Sequence, residues 1–462
     1  MQRSIRMHQP DSSRSIISPK RRSTPSIMNK LWKKSSAKLH PTIERYTVGE
    51  DPVLDMSLFP FDIKASNAHV KGLRKIGILS GQELKELLSA LKELEKDFHK
   101  GKIRIAVEDE DCHTVIENML TAKLGDTGKK IHTGRSRNDQ VLVALRLLMK
   151  DRLKEICMRT LDLAETFLSF AKEYEDVALP GYSHMQQAML GSIGHYGCSF
   201  VESLLDDIAL IDSIRNHIDA NPLGSAAGYG VALPLDRSGI TQELGFGRIQ
   251  INSLYCQNSR GKFESLFLEG LAQIMMTLGR FANDLLLFTT QEFDFFAVDQ
   301  ALVTGSSIMP QKKNLDGLEV LRGNVSVMMG YQQMAKDIAK NLPSGYNRDL
   351  QLLKRPIIHG TDIVLQSIEV ARLYLTNIAP KQASIEKKIT KDIFMADVAV
   401  SLSREKGIPF REAYQLSAKH MEPYKVDFRK NIASKVSLGA PGNLAWKEYA
   451  KRIAVLKRIA HE

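Results

Sequence analysis

Five stretches of this chain are long, apolar at helical spacing and nearly free of Gly and Pro: 141–174, 190–218, 263–287, 318–339 and 355–378. Their Leu, Ile, Met and Phe residues recur three and four positions apart, the period of an α-helix. Some, such as FLEGLAQIMMTLGRFANDLLLF, are apolar on more than one face, which suits a helix enclosed by neighbours inside a bundle and between subunits. A helix running from Asn138 to about Glu175 would be about 55 Å long at ~1.5 Å per residue, so loops at its two ends lie far apart. Strand-like alternation is almost absent, and no GxGxxG or GxxxxGKS loop occurs, so nucleotide-binding α/β folds have no support. The expected fold is all-α, with three helical domains at 47–137, 138–385 and 386–462, the middle one a long-helix bundle that assembles into a tetrameric core.

Residues 1–46 are set apart as a disordered basic tail. The net charge of +11 would suggest a polyanion partner if it were spread over a folded surface. Residues 1–40 hold ten Lys and Arg against Asp11 alone, leaving 54 basic and 52 acidic side chains, or +2, for the rest. Rich in Ser, Arg, Lys and Pro, this segment buries too little apolar surface to offset its ordering entropy. An over-extended start, an organellar transit peptide and a partner-binding arm all fit it. A nucleic-acid role rests on the tail alone and is disfavoured. No apolar run of about 18 residues spans a membrane, and a cytoplasmic location is expected. Cys112, Cys157, Cys198 and Cys256 stand far apart with no CxxC, so neither a disulfide framework nor a metal site is expected.

Three polar segments interrupt the apolar pattern. In HTGRSRNDQ (132–140), Arg135 and Arg137 flank Ser136, and Asn138 and Asp139 open a helix, so guanidinium groups and helix N–H groups converge where an anion could sit. An N-capped helix with surface arginines is the plain alternative. In LPGYSHMQQAM (179–189), Ser183, His184 and Gln186 are expected to open a helix after a Pro-Gly turn; a lone His there is more often packed than catalytic unless a carboxylate meets it. In TGSSIMPQKKN (304–314), the Gly305-Ser306-Ser307 turn can offer successive N–H groups to an oxyanion, with Lys312 and Lys313 in reach and Glu319 opening the next helix.

Together these segments resemble the fumarase/aspartase superfamily, and within it the argininosuccinate lyases, over roughly residues 47–440. GSSIMPQKKN is similar to the superfamily's shared loop, with the Gln-Lys-Lys form typical of that branch, and HTGRSRNDQ is its more specific marker. EDCHTVIE (110–117), GYSHMQ, YNRDLQLLK (346–354) and GIPFREAY (407–414) agree in order. The resemblance implies cofactor-free, reversible β-elimination of argininosuccinate to arginine and fumarate by a homotetramer. It makes Ser306 the base that removes the Cβ proton and His184, paired with Glu319, the acid side. Lys312 and Asn314 would hold the carboxylate beside the carbanion, with Ser183 and Gln186 contacting substrate and Arg137 and Asn138 lining the succinyl end. Tyr346, Gln351 and Lys354 match positions that grip the arginine portion.

The chain also departs from the pattern. Leu315 replaces a Pro, and the loop that usually reads Ser-Asp-Arg-Asp is QNSRGKFE (257–264), which keeps Arg260 and loses both acids. The usual Trp-Gly-Gly-Arg-Phe start is missing, and Asp51 falls near a substrate-contacting serine. A sister lyase acting on adenylosuccinate or aspartate, and a catalytically retired crystallin-like protein, are the competing readings.

Overall fold

The structure is a computed structural model and describes residues 39–421 and 425–461. The tail up to residue 38 lies outside the described residues. The tail boundary itself needs correcting, because Pro41–Val48 is helical. Pro41 sits in its first turn and the His40 ring accepts from the Thr42 N–H, a start signal that composition alone hides.

Five helices build the bundle: α1 (Arg137–Glu173), α2 (Ile193–Ile218), α3 (Lys262–Phe288), α4 (Asp316–Ala339) and α5 (Lys354–Leu375). A capping box starts α1: the Ser136 side chain accepts a helix N–H while the Asp139 carboxylate accepts from the Ser136 N–H. The second Asp139 oxygen accepts from the Gly224 and Ala226 N–H groups at 3.0 and 2.9 Å, tying this end of α1 to the chain leaving α2. Burial pushes the Asp139 carboxyl up, and these N–H groups pull against that shift.

Side-chain contacts fix the directions of the five helices. For α5, Arg260 just before α3 donates to the Leu350 carbonyl just before α5 at 3.2 Å, and Tyr374 near the end of α5 donates to the Leu302 carbonyl beyond the end of α3 at 3.0 Å. Near the start of α1, buried Arg146 donates to the Ile218 and Ala220 carbonyls at the far end of α2, and its guanidinium lies 4.2 Å over the Phe263 ring at the start of α3. Near the other end, the Phe167 ring meets Phe200 of α2 at 5.1 Å and Phe281 of α3 at 5.2 Å. Gln332 of α4 donates to Glu269 of α3 at 2.7 Å, and Arg322 donates to Asn283 at 3.3 Å, so α4 runs against α3. The bundle is therefore up-down, with the starts of α1, α3 and α5 at one end and the starts of α2 and α4 at the other.

Two findings differ from the sequence reading. Residues 178–192 form a hairpin, β1 (Ala178–Ser183) against β2 (Gln186–Ser192), so Ser183, His184 and Gln186 do not open a helix. Ser183 pairs with Gln186, and His184 and Met185 fill a two-residue turn with φ of 52° and 62°, the left-handed pair that matches strand twist. Alternation is masked here because the hairpin is largely exposed at its tip. The hydrophobic clusters also cut across the expected domains: helices Phe59–Lys75, Gly81–His99 and Cys112–Leu124 share the bundle's core, as do Tyr449, Ile453 and Leu456 of the last helix, Trp446–His461. A smaller separate core joins Ala178 and Leu190 of the hairpin to Phe394, Leu402, Ala413 and Ile432. Among the described residues no helix is long and apolar enough to cross a membrane.

One buried acid inside the bundle predicts a pH effect. Asp207 of α2 is 9% exposed and accepts from the Thr277 hydroxyl of α3 at 2.7 Å. Burial raises its carboxyl from 3.8 to about 6, so the folded state holds a proton that the unfolded state releases, and stability falls as pH rises through that window. Asp207→Asn should abolish this slope and stabilise the protein above it by on the order of 2–3 kcal/mol, read as a higher Tm at pH 7 than wild type and near-equal Tm below pH ~4.

Candidate active site

At the end of the bundle where α1, α3 and α5 begin, a cavity of about 390 Å³ is lined by Thr47, Val48, Asp51, Glu110, Asp111, Arg137, Asn138, Arg260, Tyr346, Arg348, Gln351 and Lys354. Four cations and three acids meet there. Each is delivered by an element end: Arg137 and Asn138 by the first turn of α1, Lys354 by the first residue of α5, and Glu110 and Asp111 by the entry to helix Cys112–Leu124.

Most of the charge is paired. Lys354, 2% exposed, donates to Asp51 at 2.8 Å and Asp55 at 2.6 Å. Burial alone would lower the Lys354 ammonium, but Asp55 and Asp51 outweigh it and raise it. Burial pushes Asp51 up to about 6 against the pull of Lys354, as expected where two carboxylates share one ammonium. Arg137 meets Asp111 at 3.2 Å and Glu110 at 3.4 Å and donates to the Thr114 hydroxyl at 2.8 Å. Despite its burial, Asp111 is held below the usual carboxylate range by His113, Arg137 and the Thr114 N–H. Arg348 donates to Glu110 at 2.9 Å and to the Thr47 carbonyl at 2.9 Å, where Gln351 also donates, so the loop before α5 grips the end of helix Pro41–Val48. Glu110 takes a left-handed backbone, φ 74°, strain that turns its carboxylate toward both arginines.

The cavity thus gathers Arg137, Asn138, Tyr346, Gln351 and Lys354 from the sequence reading. It does not gather the rest. Ser183, His184 and Gln186 lie at the hairpin tip, exposed, and Ser306, Lys312, Asn314 and Glu319 lie on the turn before α4 and in its first turn. The Ser306 hydroxyl accepts from the Ile308 and Met309 N–H groups at 3.3 and 3.1 Å, and Asn314 donates to the Gly305 carbonyl at 3.5 Å. These residues occupy the opposite end of the bundle, separated from the cavity by helices of 24 to 37 residues, or ~36–55 Å. No ion pair joins His184 to Glu319 within the chain among the described residues. Arg135 turns away from the cavity to donate to Ser66 at 2.9 Å.

Asp51, Glu110, Asp111 and Arg348 were not assigned roles from the sequence. The acids of EDEDCH and the Arg inside YNRDLQ were visible signals, but their convergence needs three separate chain segments. Asp55, Cys112 and His113 also offer ligand atoms within 4.8 Å of one another. Lys354 donates to one Asp55 oxygen, the Cys112 N–H to the other at 3.3 Å, and His113 bonds Asp62 at 2.8 Å. With an ammonium already on the carboxylate, and burial holding the Cys112 thiol well above its ordinary value, these residues fit an ion-pair network better than a metal centre. All four cysteines are free and buried.

Comparison with known proteins agrees with the motifs. A family model described as lyase matches residues 44–330. The argininosuccinate lyase of Thermotoga neapolitana is 42% identical over 392 residues, 85% of this chain and 98% of that protein. The chain belongs to the argininosuccinate lyase family. The argininosuccinate lyase of Sorangium cellulosum is 42% identical over 92% of this chain and 98% of that protein. Among solved structures, EDDS lyase in complex with formate superposes with a TM-score of 0.75 at 22% identity, covering 92% of this chain and 91% of that one. Class II fumarase from Schistosoma mansoni gives 0.68 at 16% identity, covering 90% and 94%. These two share the fold of this argininosuccinate lyase family member.

Removing the hub of the cavity's ion pairs should be costly, since it strands two buried carboxylates. Lys354→Met is expected to lower stability by roughly 3–5 kcal/mol, and adding Asp51→Asn to restore part of that loss. Urea unfolding of the single and double variants measures both.

Proposed function

We propose that this chain cleaves argininosuccinate reversibly into arginine and fumarate by β-elimination, without a cofactor. The observation that carries the reading is identity of 40–42% with argininosuccinate lyases over 84–92% of the chain. The chemistry demands three things, and the polar segments contain a group for each. A proton beside a carboxylate is hard to remove because the product places a second charge on the carboxylate oxygens. Ser306 is the proposed base. Lys312 and the N–H groups of the 305–307 turn supply the field that stabilises the dianion, usually the largest catalytic term, and Asn314 orients the same carboxylate. Collapse of the carbanion breaks the Cα–N bond, and the departing guanidine nitrogen takes a proton from His184, held by Glu319 and flanked by Ser183 and Gln186. Arg137 and Asn138 are assigned to the succinyl end, and Tyr346, Gln351 and Lys354 to the arginine end.

The two halves of this machinery stand at opposite ends of one bundle, so the reading requires more than one copy. A homotetramer with twofold axes across its helices brings the hairpin end of one bundle to the cavity end of another. Val320, Val327 and Met329 of α4 and Met276 of α3 are apolar and exposed in the single chain, a surface suited to burial between copies. A cytoplasmic setting suits an enzyme of amino-acid biosynthesis with small soluble substrates.

The deciding experiment follows fumarate absorbance with purified protein and argininosuccinate, adenylosuccinate or aspartate in parallel. Turnover of argininosuccinate is expected; turnover of either other substrate alone would reassign the enzyme, and none would favour a retired, crystallin-like protein. Ser306→Ala should lose most of kcat, at least the ~10²–10⁴-fold worth of a positioned proton-transfer group, with fold and assembly intact. Mixing inactive Arg137→Gln, altered at the cavity end, with inactive Ser306→Ala, altered at the hairpin end, should regain partial activity after subunit exchange. Proven hybrid tetramers with no recovery would sink the shared-site arrangement.

A further inference from the structure

Of the four cations lining the cavity, Lys354, Arg137 and Arg348 are each paired with acids. Arg260 is different. Its side chain is 3% exposed, and among the described residues no carboxylate lies within ion-pair distance of it. One nitrogen, Nη2, donates to the Leu350 carbonyl at 3.2 Å, while Nε and Nη1 are buried without a hydrogen-bond partner. A guanidinium carries five N–H donors and stays charged, so burying it with one bond and no counter-ion is unfavourable unless an anion arrives.

The surroundings say which anion. The Arg260 guanidinium carbon lies 5.3 Å from the centre of the Tyr346 ring. The residue two places before it, Asn258, accepts from the Gly345 N–H at 2.8 Å and donates to Ser344 at 3.3 Å, which locks Arg260 against the loop that carries Tyr346 and leads to Gln351 and Lys354. That loop is the one assigned to the arginine end of the substrate. The loss of both acids around Arg260 in QNSRGKFE leaves its charge uncompensated at this spot. We propose that Arg260 receives the α-carboxylate at the arginine end of the substrate, making it a specificity-determining residue that selects an amino acid over an amine. The inference rests on the argininosuccinate reading for the identity of the ligand. The planar fork of Arg260 suits two-point binding of a carboxylate, and the paired cations around it compete weakly for the same group.

The test compares arginine with agmatine, which is arginine without its carboxylate, as co-substrates with fumarate in the reverse reaction. Wild-type protein should prefer arginine. Arg260→Gln should raise KM for arginine about 10- to 100-fold, with kcat changed far less and the agmatine KM nearly unchanged, so that the preference collapses. Arg260→Lys keeps the charge without the fork and should fall between the two. Calorimetric binding of arginine and agmatine to each protein gives the same ratio without turnover, so a chain that fails to split argininosuccinate still tests Arg260. Retention of the wild-type arginine preference in Arg260→Gln would overturn the proposal, as would equal loss of both ligands. If Arg260→Gln does not fold, an unchanged ratio in Arg260→Lys overturns it as well.

Discussion

Everything functional in this chain is arranged by the length of its helices. Five helices of 22 to 37 residues run up and down, and the directions of the first three are pinned at one end by Arg146 on two carbonyls and the Phe263 ring, and at the other by the Phe167, Phe200 and Phe281 rings. Close packing of such rods leaves no route by which a side chain at one end reaches the other. Chemistry-bearing loops are therefore sorted to two ends by connectivity alone. The guanidinium- and carboxylate-rich cavity falls at one end, the serine turn and the His184 hairpin at the other.

Within the cavity, the electrostatics are those of a nearly neutral lattice rather than a simple anion trap. Asp51, Asp55, Glu110 and Asp111 hold Lys354, Arg137 and Arg348 in defined places. Such pairs add little net stability when buried, but they orient side chains that would otherwise swing. The raised Asp51 carboxyl shows the cost of crowding two acids on one ammonium. Against this balanced background, Arg260 is the exception, and an exception in a balanced field is where a ligand charge is best placed.

The serine turn and hairpin show the opposite design. Ser306, Lys312 and His184 sit on short, polar, exposed elements with few buried contacts, and His184 and Met185 hold left-handed backbone at the hairpin tip. Elements of this kind open and close cheaply compared with the aromatic core beneath them. The proposed reading thus puts recognition at the rigid bundle end and proton transfer at the looser one.

The five long helices were legible in the sequence because each needs only a local apolar period and local start signals, such as the Ser136–Asp139 box. The three polar segments stood out in the sequence because their residue types and order are local too. The hairpin was misread as a helix start, since an exposed strand pair shows no strong alternation and its two-residue turn lacks the usual Gly or Asn. Helix Pro41–Val48 was lost in a basic tail because its order comes from Arg348 and Gln351, some three hundred positions away. Which polar residues share a cavity was beyond the sequence altogether. Spacing along a chain says what a segment can do, but only the packing of antiparallel rods decides that Arg260 meets Tyr346 and Lys354 meets Asp51, and that Ser306 meets neither within one copy.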